Sequence, residues 1–420
     1  MQENRTTCRR TEQHVERIAQ TADPSDTELL TYFDPFAPSL NDDPYTCYAH
    51  ARERAAVCRG PYGMAVITRH AAVSAALRDP RLGHGNSTSP NRVFSFLGLD
   101  PPRHGPLRRL AAHAFTPKAI HALGARIARI ADAVLDGALA HAAVTDLLAD
   151  FAYPVSLRVI CDIFGLPEED HSWIREQTPP IGRLLDPPFT ISADDMARAR
   201  HATAGFIAYL RDQISRKRRS PGPDLLSELI ALADAEGSVT SRDLIPLCAL
   251  LVMAGYETTA NLIGNGLLAL LTHPGALVQA RRFAQRGTLT PTAVNELARY
   301  DSPIQITFRT VSSETVVAGT RLQAGAPVAL LLGSANHDPR VHAHPERLDL
   351  SRTPNPHLSF GTGIHYCLGA PLARLEAGIA LGRLLTRTRH LEAATDTPRH
   401  KNITAAIRGL HALPVTPLLH

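Results

Sequence analysis

The chain has 420 residues, with 44 Lys and Arg against 40 Asp and Glu, a formal net charge of +4 that is small for this length, and 44% hydrophobic content. Composition gives no case for nucleic-acid binding, and the apolar fraction is ample for the core of one large domain or two to three average ones. Six cysteines (Cys8, Cys47, Cys58, Cys161, Cys248 and Cys367) are scattered without CxxC or His/Cys pairing. That argues against zinc, iron-sulfur clusters and a secreted disulfide framework, and for a reducing cytoplasm.

Residues 1–28 are polar and charged with no apolar stretch, so a flexible tail is expected there, and neither a signal peptide nor a membrane anchor. Residues 29–420 are expected to form a single domain, ordered from about Asp34-Pro35. Tyr45, Tyr48, Ala49 and Ala56 recur at helical spacing with Arg52 on the same face, and Met64 to Thr68 is a short β-rich run, so a helix precedes a strand. Arg81 to Leu99, rich in Gly, Asn, Ser and Pro, reads as a loop. A helical run follows Asp100-Pro101-Pro102 and closes at Phe115-Thr116-Pro117; His104 and Arg108, at i and i+4, share one of its faces. From Leu123 to Ala233 apolar residues keep a 3.6 period, broken at Pro154, Pro167, Pro179-Pro180, Pro187-Pro188 and Pro221-Gly222-Pro223. This predicts a series of helices with a loop at Thr178 to Thr190.

Thr240 to Leu271 predicts a helix of roughly thirty residues, capped through Thr240 and Asp243 and stopped at His273-Pro274-Gly275. Its longest apolar run, Leu247 to Gly255, is well short of the roughly 20 residues of a membrane span. Leu247 to Ala254 is apolar on every side, as in a helix buried all round. Into that interior the sequence puts Gly255, Glu257, Thr258 and Thr259. A buried glutamate needs a partner, and a mid-helix glycine costs about 1 kcal/mol against alanine, so something offsets both. A local account is a threonine hydroxyl bonded back to the i−4 carbonyl, with Glu257 turned to solvent or a salt bridge.

Glu296 and Arg299 form an i, i+3 acid-base pair on the next helical stretch. Then comes Phe360-Gly361-Thr362-Gly363-Ile364-His365-Tyr366-Cys367-Leu368-Gly369. Gly361, Gly363 and Gly369 allow positive φ and a loop that lies flat against a large planar ligand. Pro371 opens the apolar-periodic run Leu372 to Leu385, so free amides and the positive end of a helix face the Cys367 sulfur and favour its thiolate. His365 shares a side with Cys367 in an extended loop, within reach of an acidic group on the same ligand, and Phe360 can cover the ligand's near face.

The pattern Phe-x-x-Gly-x-His-x-Cys-x-Gly resembles, at every specified position, the signature of the haem-thiolate monooxygenases, the cytochrome P-450 family. Ala254-Gly255-x-Glu257-Thr258-Thr259 resembles that family's oxygen-activation motif, with Glu for the frequent Asp, and Glu296-x-x-Arg299 its ExxR pair, which locks onto an arginine at the place of Arg352. Leu348 and Leu350 depart from the usual Phe and Pro there. The likeness spans about Asp34 to Val415. It implies a mainly α fold, a triangular helical prism with a small β-rich lobe, holding haem b between the long helix and the cysteine loop. Cys367 is then the proximal ligand of the haem iron, with Phe360, Gly361, Gly363, His365 and Gly369 around it. The resemblance gives His104, Arg108 and Arg309 to the propionates. Ala254 and Gly255 leave a groove for dioxygen, Thr258 donates a hydrogen bond to it and Glu257 supplies protons.

By the same resemblance the loop 81–99 caps the substrate pocket and the segment Thr178 to Thr190 is its lid. Leu250, Met253, Ile304, Ile306 and Ala406 are candidate pocket walls, mostly apolar, for a hydrophobic substrate such as a polyketide, terpenoid or modified peptide. No Gly-rich dinucleotide loop follows a strand, so electrons are expected from NAD(P)H through a ferredoxin reductase and a ferredoxin, docked on Arg109, Lys118 and Arg374. A soluble cytoplasmic monomer is expected. Two alternatives stand beside this reading: a haem-thiolate protein without oxygen insertion, acting as ligand sensor or isomerase, and a haem-free helical protein with a structural Cys367.

Overall fold

One helix organises the packing, and it runs Ser241–Thr272, 32 residues or about 48 Å. The structure is a computed structural model that describes residues 31–41, 43–84, 92–113, 115–140, 144–236, 239–394, 400–401 and 404–419. The expected tail 1–28 and the loop centre 85–91 lie outside these residues. The Asp243 carboxylate accepts the Thr240 backbone N–H (3.4 Å) and hydroxyl (2.7 Å) at the helix start. Pro246 lies inside the second turn and removes only the bond to the Arg242 carbonyl. By length and composition the span Arg242–Thr272 could cross a membrane, but 83% of its most apolar window is buried inside the protein, as a core helix requires. Around it packs the main apolar cluster, from Leu107 and Ile127 through Phe151, Phe164 and Phe206 to Leu381 and Val415.

A smaller β-rich lobe is built on five strands, β1 (Val57–Arg59), β2 (Ala65–Ile67), β3 (Leu82–Gly83), β4 (Ile306–Val311) and β5 (Pro327–Leu331). Their order across the sheet is β1-β2-β5-β4-β3, with β2 and β5 parallel and the other pairs antiparallel. Alternation of side chains explains its two covered faces. Ala65, Ile67, Val328 and Leu330 enter one cluster, while Val66, Ala329 and Leu331 enter the other beside Tyr48. Helix Pro44–Arg54 ends before Ala56. Arg52, the polar intruder on its apolar face, is buried and donates through Nη1 to the carbonyl (2.9 Å) and hydroxyl (3.1 Å) of Ser334.

Prolines punctuate the helices less sharply than their spacing predicts. Helix His171–Gly182 contains Pro179 and Pro180. Pro179 cannot bond the Arg175 carbonyl, and the Thr178 hydroxyl reaches that carbonyl instead (3.3 Å). The connecting segment therefore shrinks to 183–192, before helix Ala193–Arg219. Helix His104–His113 accommodates Gly105-Pro106 in its first turn, where a missing N–H leaves no partner unsatisfied.

Helix Pro291–Tyr300 carries the acid-base pair into the interior. Arg299 binds Glu296 through Nε and Nη2, both at 2.8 Å, with each side chain fully buried. Its remaining N–H groups reach the carbonyls of Asn336, Pro345 and Arg347. Arg352 closes on the same carboxylate from the other side at 3.1 Å, joined by the Asp349 N–H and the Asn355 amide. Asn336 accepts the Leu358 N–H (2.6 Å), and the Ser359 hydroxyl donates to Ala298 (2.7 Å), so this cluster anchors the start of the cysteine loop.

Candidate active site

The cysteine loop and the long helix face one another across a cavity of about 1090 Å³. The Cys367 N–H donates to the Phe360 carbonyl (2.9 Å) and the Tyr366 N–H to Gly363 (3.1 Å), which folds the loop back under the helix Ala370–Arg387. Gly361 and Gly363 hold φ of +64° and +74°, the left-handed region that glycine supplies. Gly369, at φ −79°, does not need that freedom. Gly363 also does not line the cavity: a Cβ there would stand 2.6 Å from the Leu77 carbonyl oxygen, so its bareness seats the loop on the neighbouring chain. Phe360 lines the cavity, with the Arg374 guanidinium 4.3 Å from its ring centroid.

Burial pushes the Cys367 thiol up, against the Gly369 and Ala370 amides and the Arg374 and Arg108 cations, which pull it down. The expected thiolate is thus not secured by the helix end alone, because desolvation outweighs it. A coordinating metal ion removes the proton outright.

On the facing wall Ala254 and Thr258 are open to the cavity. The Thr258 hydroxyl donates to the Ala254 carbonyl (2.8 Å), so it offers the cavity its lone pairs rather than the donor that was expected. Gly255 borders the cavity too, yet a Cβ on it would stand 2.7 Å from Ile160 Cδ1. Its bareness lets helix Tyr153–Phe164 pack close, an account of this glycine that needs no dioxygen groove. Glu257 is buried and lines the cavity. The Tyr153 and Tyr256 phenols face it and are pushed up by burial first and by its charge second. Tyr256 in turn meets the Thr178 hydroxyl.

At one edge of the cavity, cationic and N–H groups gather. Arg309, on β4, is buried and lowered to about 10 by desolvation. Its Nη1 reaches Thr307 and the Phe308 carbonyl. Arg108 donates to the Tyr366 carbonyl (2.6 Å). The His365 ring lies 4.6 Å from that of His104, which stands behind it and off the cavity wall. His84, which loop composition did not single out, lines the cavity 4.9 Å from His365 on the other side. Nε2 of His84, Nε2 of His104 and both ring nitrogens of His365 are buried without a hydrogen-bond partner among the described residues. Burial first, then the neighbouring cations, press His365 down to about 3. Unpaired donors beside an arginine call for an anion. The two propionates of haem, on a planar apolar ring reaching Cys367, fit this donor set and this volume.

Leu250, Met253, Ile304, Ile306 and Ala406 all line the same cavity. So does the segment 184–189 that follows helix His171–Gly182. Its Asp186 is buried, accepts the Ala405 (3.1 Å) and Ala406 (3.4 Å) N–H groups, and pairs with Arg183 (2.9 Å). Desolvation raises Asp186 to about 6. Of the expected docking cations, Arg109 and Lys118 are exposed, whereas Arg374 is half-buried and donates to Asn295 (2.6 Å).

The Cytochrome P-450 family model matches residues 52–415. The chain is 37% identical to the cytochrome P-450 monooxygenase PikC of Streptomyces venezuelae over 391 residues, 89% of this chain and 91% of PikC. Among solved structures, the cytochrome PksS of the Bacillus subtilis 168 bacillaene polyketide synthase superposes with a TM-score of 0.84 at 33% identity, covering 92% of this chain and 100% of that one. P450BioI in complex with an acyl carrier protein ligated to hexadec-9Z-enoic acid gives 0.82 at 34% identity, covering 89% and 98%. Likeness of that extent, in sequence and in fold together, makes this chain a member of the cytochrome P-450 family, a haem-dependent monooxygenase.

Proposed function

We propose that the enzyme hydroxylates a hydrophobic intermediate of bacterial secondary metabolism, of the polyketide, terpenoid or modified-peptide kind. The observation that carries this is the cavity itself: Cys367 on one wall, Glu257 and Thr258 on another, and apolar Leu250, Met253, Ile304, Ile306 and Ala406 between them. PikC is named a monooxygenase, PksS belongs to a polyketide synthase, and P450BioI is seen with a fatty acyl group on a carrier protein. The ligand seen with P450BioI, hexadec-9Z-enoic acid on its carrier protein, is an apolar chain.

Haem supplies activation of dioxygen at a thiolate-ligated iron. Cys367 would hold the iron, and His365, Arg309 and Arg108 the carboxylates, with His104 packed behind His365 rather than on the cavity wall. Thr258, its proton fixed on Ala254, accepts a hydrogen bond from an O–H group in the cavity. Glu257, buried on the same wall, would pass protons into the cavity. The apolar walls exclude bulk water and set the substrate against the reacting centre. NAD(P)H would supply electrons through a ferredoxin reductase and a ferredoxin drawn to Arg109 and Lys118, with the enzyme a monomer in the cytoplasm.

The test is the visible spectrum of the reduced protein under carbon monoxide, with Cys367→Ser alongside. The expected result is a far-red-shifted Soret band in the wild type only. Titration with macrolide, terpenoid and fatty-acyl panels should then shift the ferric spin state. Spin shifts without oxygen consumption, under a supplied ferredoxin and reductase, would replace the monooxygenase by a ligand sensor or isomerase.

A further inference from the structure

We propose that His84 is a third imidazole on the acidic edge of the haem, a cofactor-binding residue beside His365 and Arg309. The proposal rests on the haem-thiolate reading above. His84 follows β3, where Gly83 pairs with Thr310 of antiparallel β4, so the next residue is carried to the level of Arg309. Its backbone N–H is clamped by both oxygens of Asp100, at 3.1 and 2.9 Å. That clamp fixes the main chain and directs the Asp100 carboxylate to the backbone. The ring is left lining the cavity, edge to face with His365, with its Nε2 buried and without a hydrogen-bond partner among the described residues.

The charges facing this ring are Arg309, His365 and His104, with Asp100 at its backbone. Burial first, then Arg309 and the two imidazoles, press His84 down to about 2. A row of three imidazoles with an arginine at one end is a poor arrangement for packing alone, since each disfavours a proton on the next. Two carboxylates placed across the row reverse that balance and satisfy the unpartnered nitrogens. A hydrogen bond to a charged group is stronger than one between neutral groups, so the loss of one should be measurable.

The experiment uses the holoenzyme with His84→Leu and His84→Gln, two readouts and a control. Haem transfer to excess apomyoglobin is followed by absorbance, and the ferric/ferrous midpoint potential by spectroelectrochemical titration; thermal unfolding is the control. Donors at the propionates offset negative charge that opposes adding an electron to iron. His84→Leu is therefore expected to release haem about tenfold faster or more and to lower the midpoint, while the carbon-monoxide band keeps its thiolate position. His84→Gln, which retains an N–H donor, should recover part of both effects. Haem release and potential unchanged in His84→Leu would overturn the assignment, as would equal losses in both variants, which would mark a merely packed ring. A wild type without the thiolate band fails at the haem reading itself, and that failure is distinct because it precedes any variant.

Discussion

Two buried polar clusters lie on either side of the cysteine loop, and they are built on opposite terms. Around Glu296, the charged groups satisfy one another: Arg299 uses all three of its nitrogens, and Arg352, Asp349 and Asn355 complete the carboxylate. Around His365, four imidazole nitrogens on three rings are buried beside Arg309 without a hydrogen-bond partner among the described residues. The first cluster closes on itself and holds the meander to its helix. The second is incomplete as protein, and its missing acceptors match the acidic edge of the cofactor. Internal satisfaction thus separates a charge cluster that serves the fold from one that serves a ligand.

The largest effect is expected at the closed cluster. Arg299→Leu strips Glu296 of its bidentate partner in a fully buried site and should cost about 3–5 kcal/mol, read as a large drop in unfolding temperature or as loss of folded holoenzyme. A loss of under about 1 kcal/mol would show that Arg352 alone carries the carboxylate.

An intermediate effect is expected at Glu376, a buried carboxyl whose Oε1 has no hydrogen-bond partner among the described residues. Desolvation raises it to about 8, opposed by the Ser156 hydroxyl. The folded chain therefore keeps a proton that the unfolded chain releases near its ordinary value. Its contribution to stability is complete below the unfolded value and is lost as pH rises toward about 8. Glu376→Gln should remove this slope and exceed the wild type by about 4 kcal/mol at pH 8. Melting curves from pH 5 to 9 test it, and parallel wild-type and variant curves would refute it.

The smallest effect on the fold is expected at His365. His365→Leu deletes two unpartnered nitrogens and should change the stability of the haem-free chain by less than about 1 kcal/mol, yet lower haem content at a given haem supply. Urea unfolding and the haem-to-protein absorbance ratio decide it. Strong destabilisation with full haem content would invert the contrast between the clusters.

Local spacing made much of this readable in advance. The cysteine loop, the ExxR pair and the capped long helix depend on residues a turn or two apart, and each lies where its pattern puts it. What was not legible depends on partners distant in the chain. His84 gains its place through the pairing of its neighbour Gly83 with Thr310, which a Gly-rich loop composition does not disclose. Gly255 is accounted for by Ile160 across a helix interface. Pro179 and Pro180 did not end their helix, because Thr178 supplies a hydroxyl to the carbonyl that Pro179 leaves open. For Cys367 a helix terminus was visible in sequence, but the desolvation that opposes it is a property of the assembled core. Arg52 looked like an interruption and is buried against Ser334.

Residues 184–189 and 406–407 wall the same cavity, and the Asp186 carboxylate joins them through the Ala405 and Ala406 amides. A wall stitched at one carboxylate can part there while the helices on either side stay folded, so its opening is a local event with its own rate. Each opening frees those two amide protons to exchange with solvent. Deuterium uptake at Ala405 and Ala406 then becomes a clock for the seam, against which the residence time of any bound molecule can be compared.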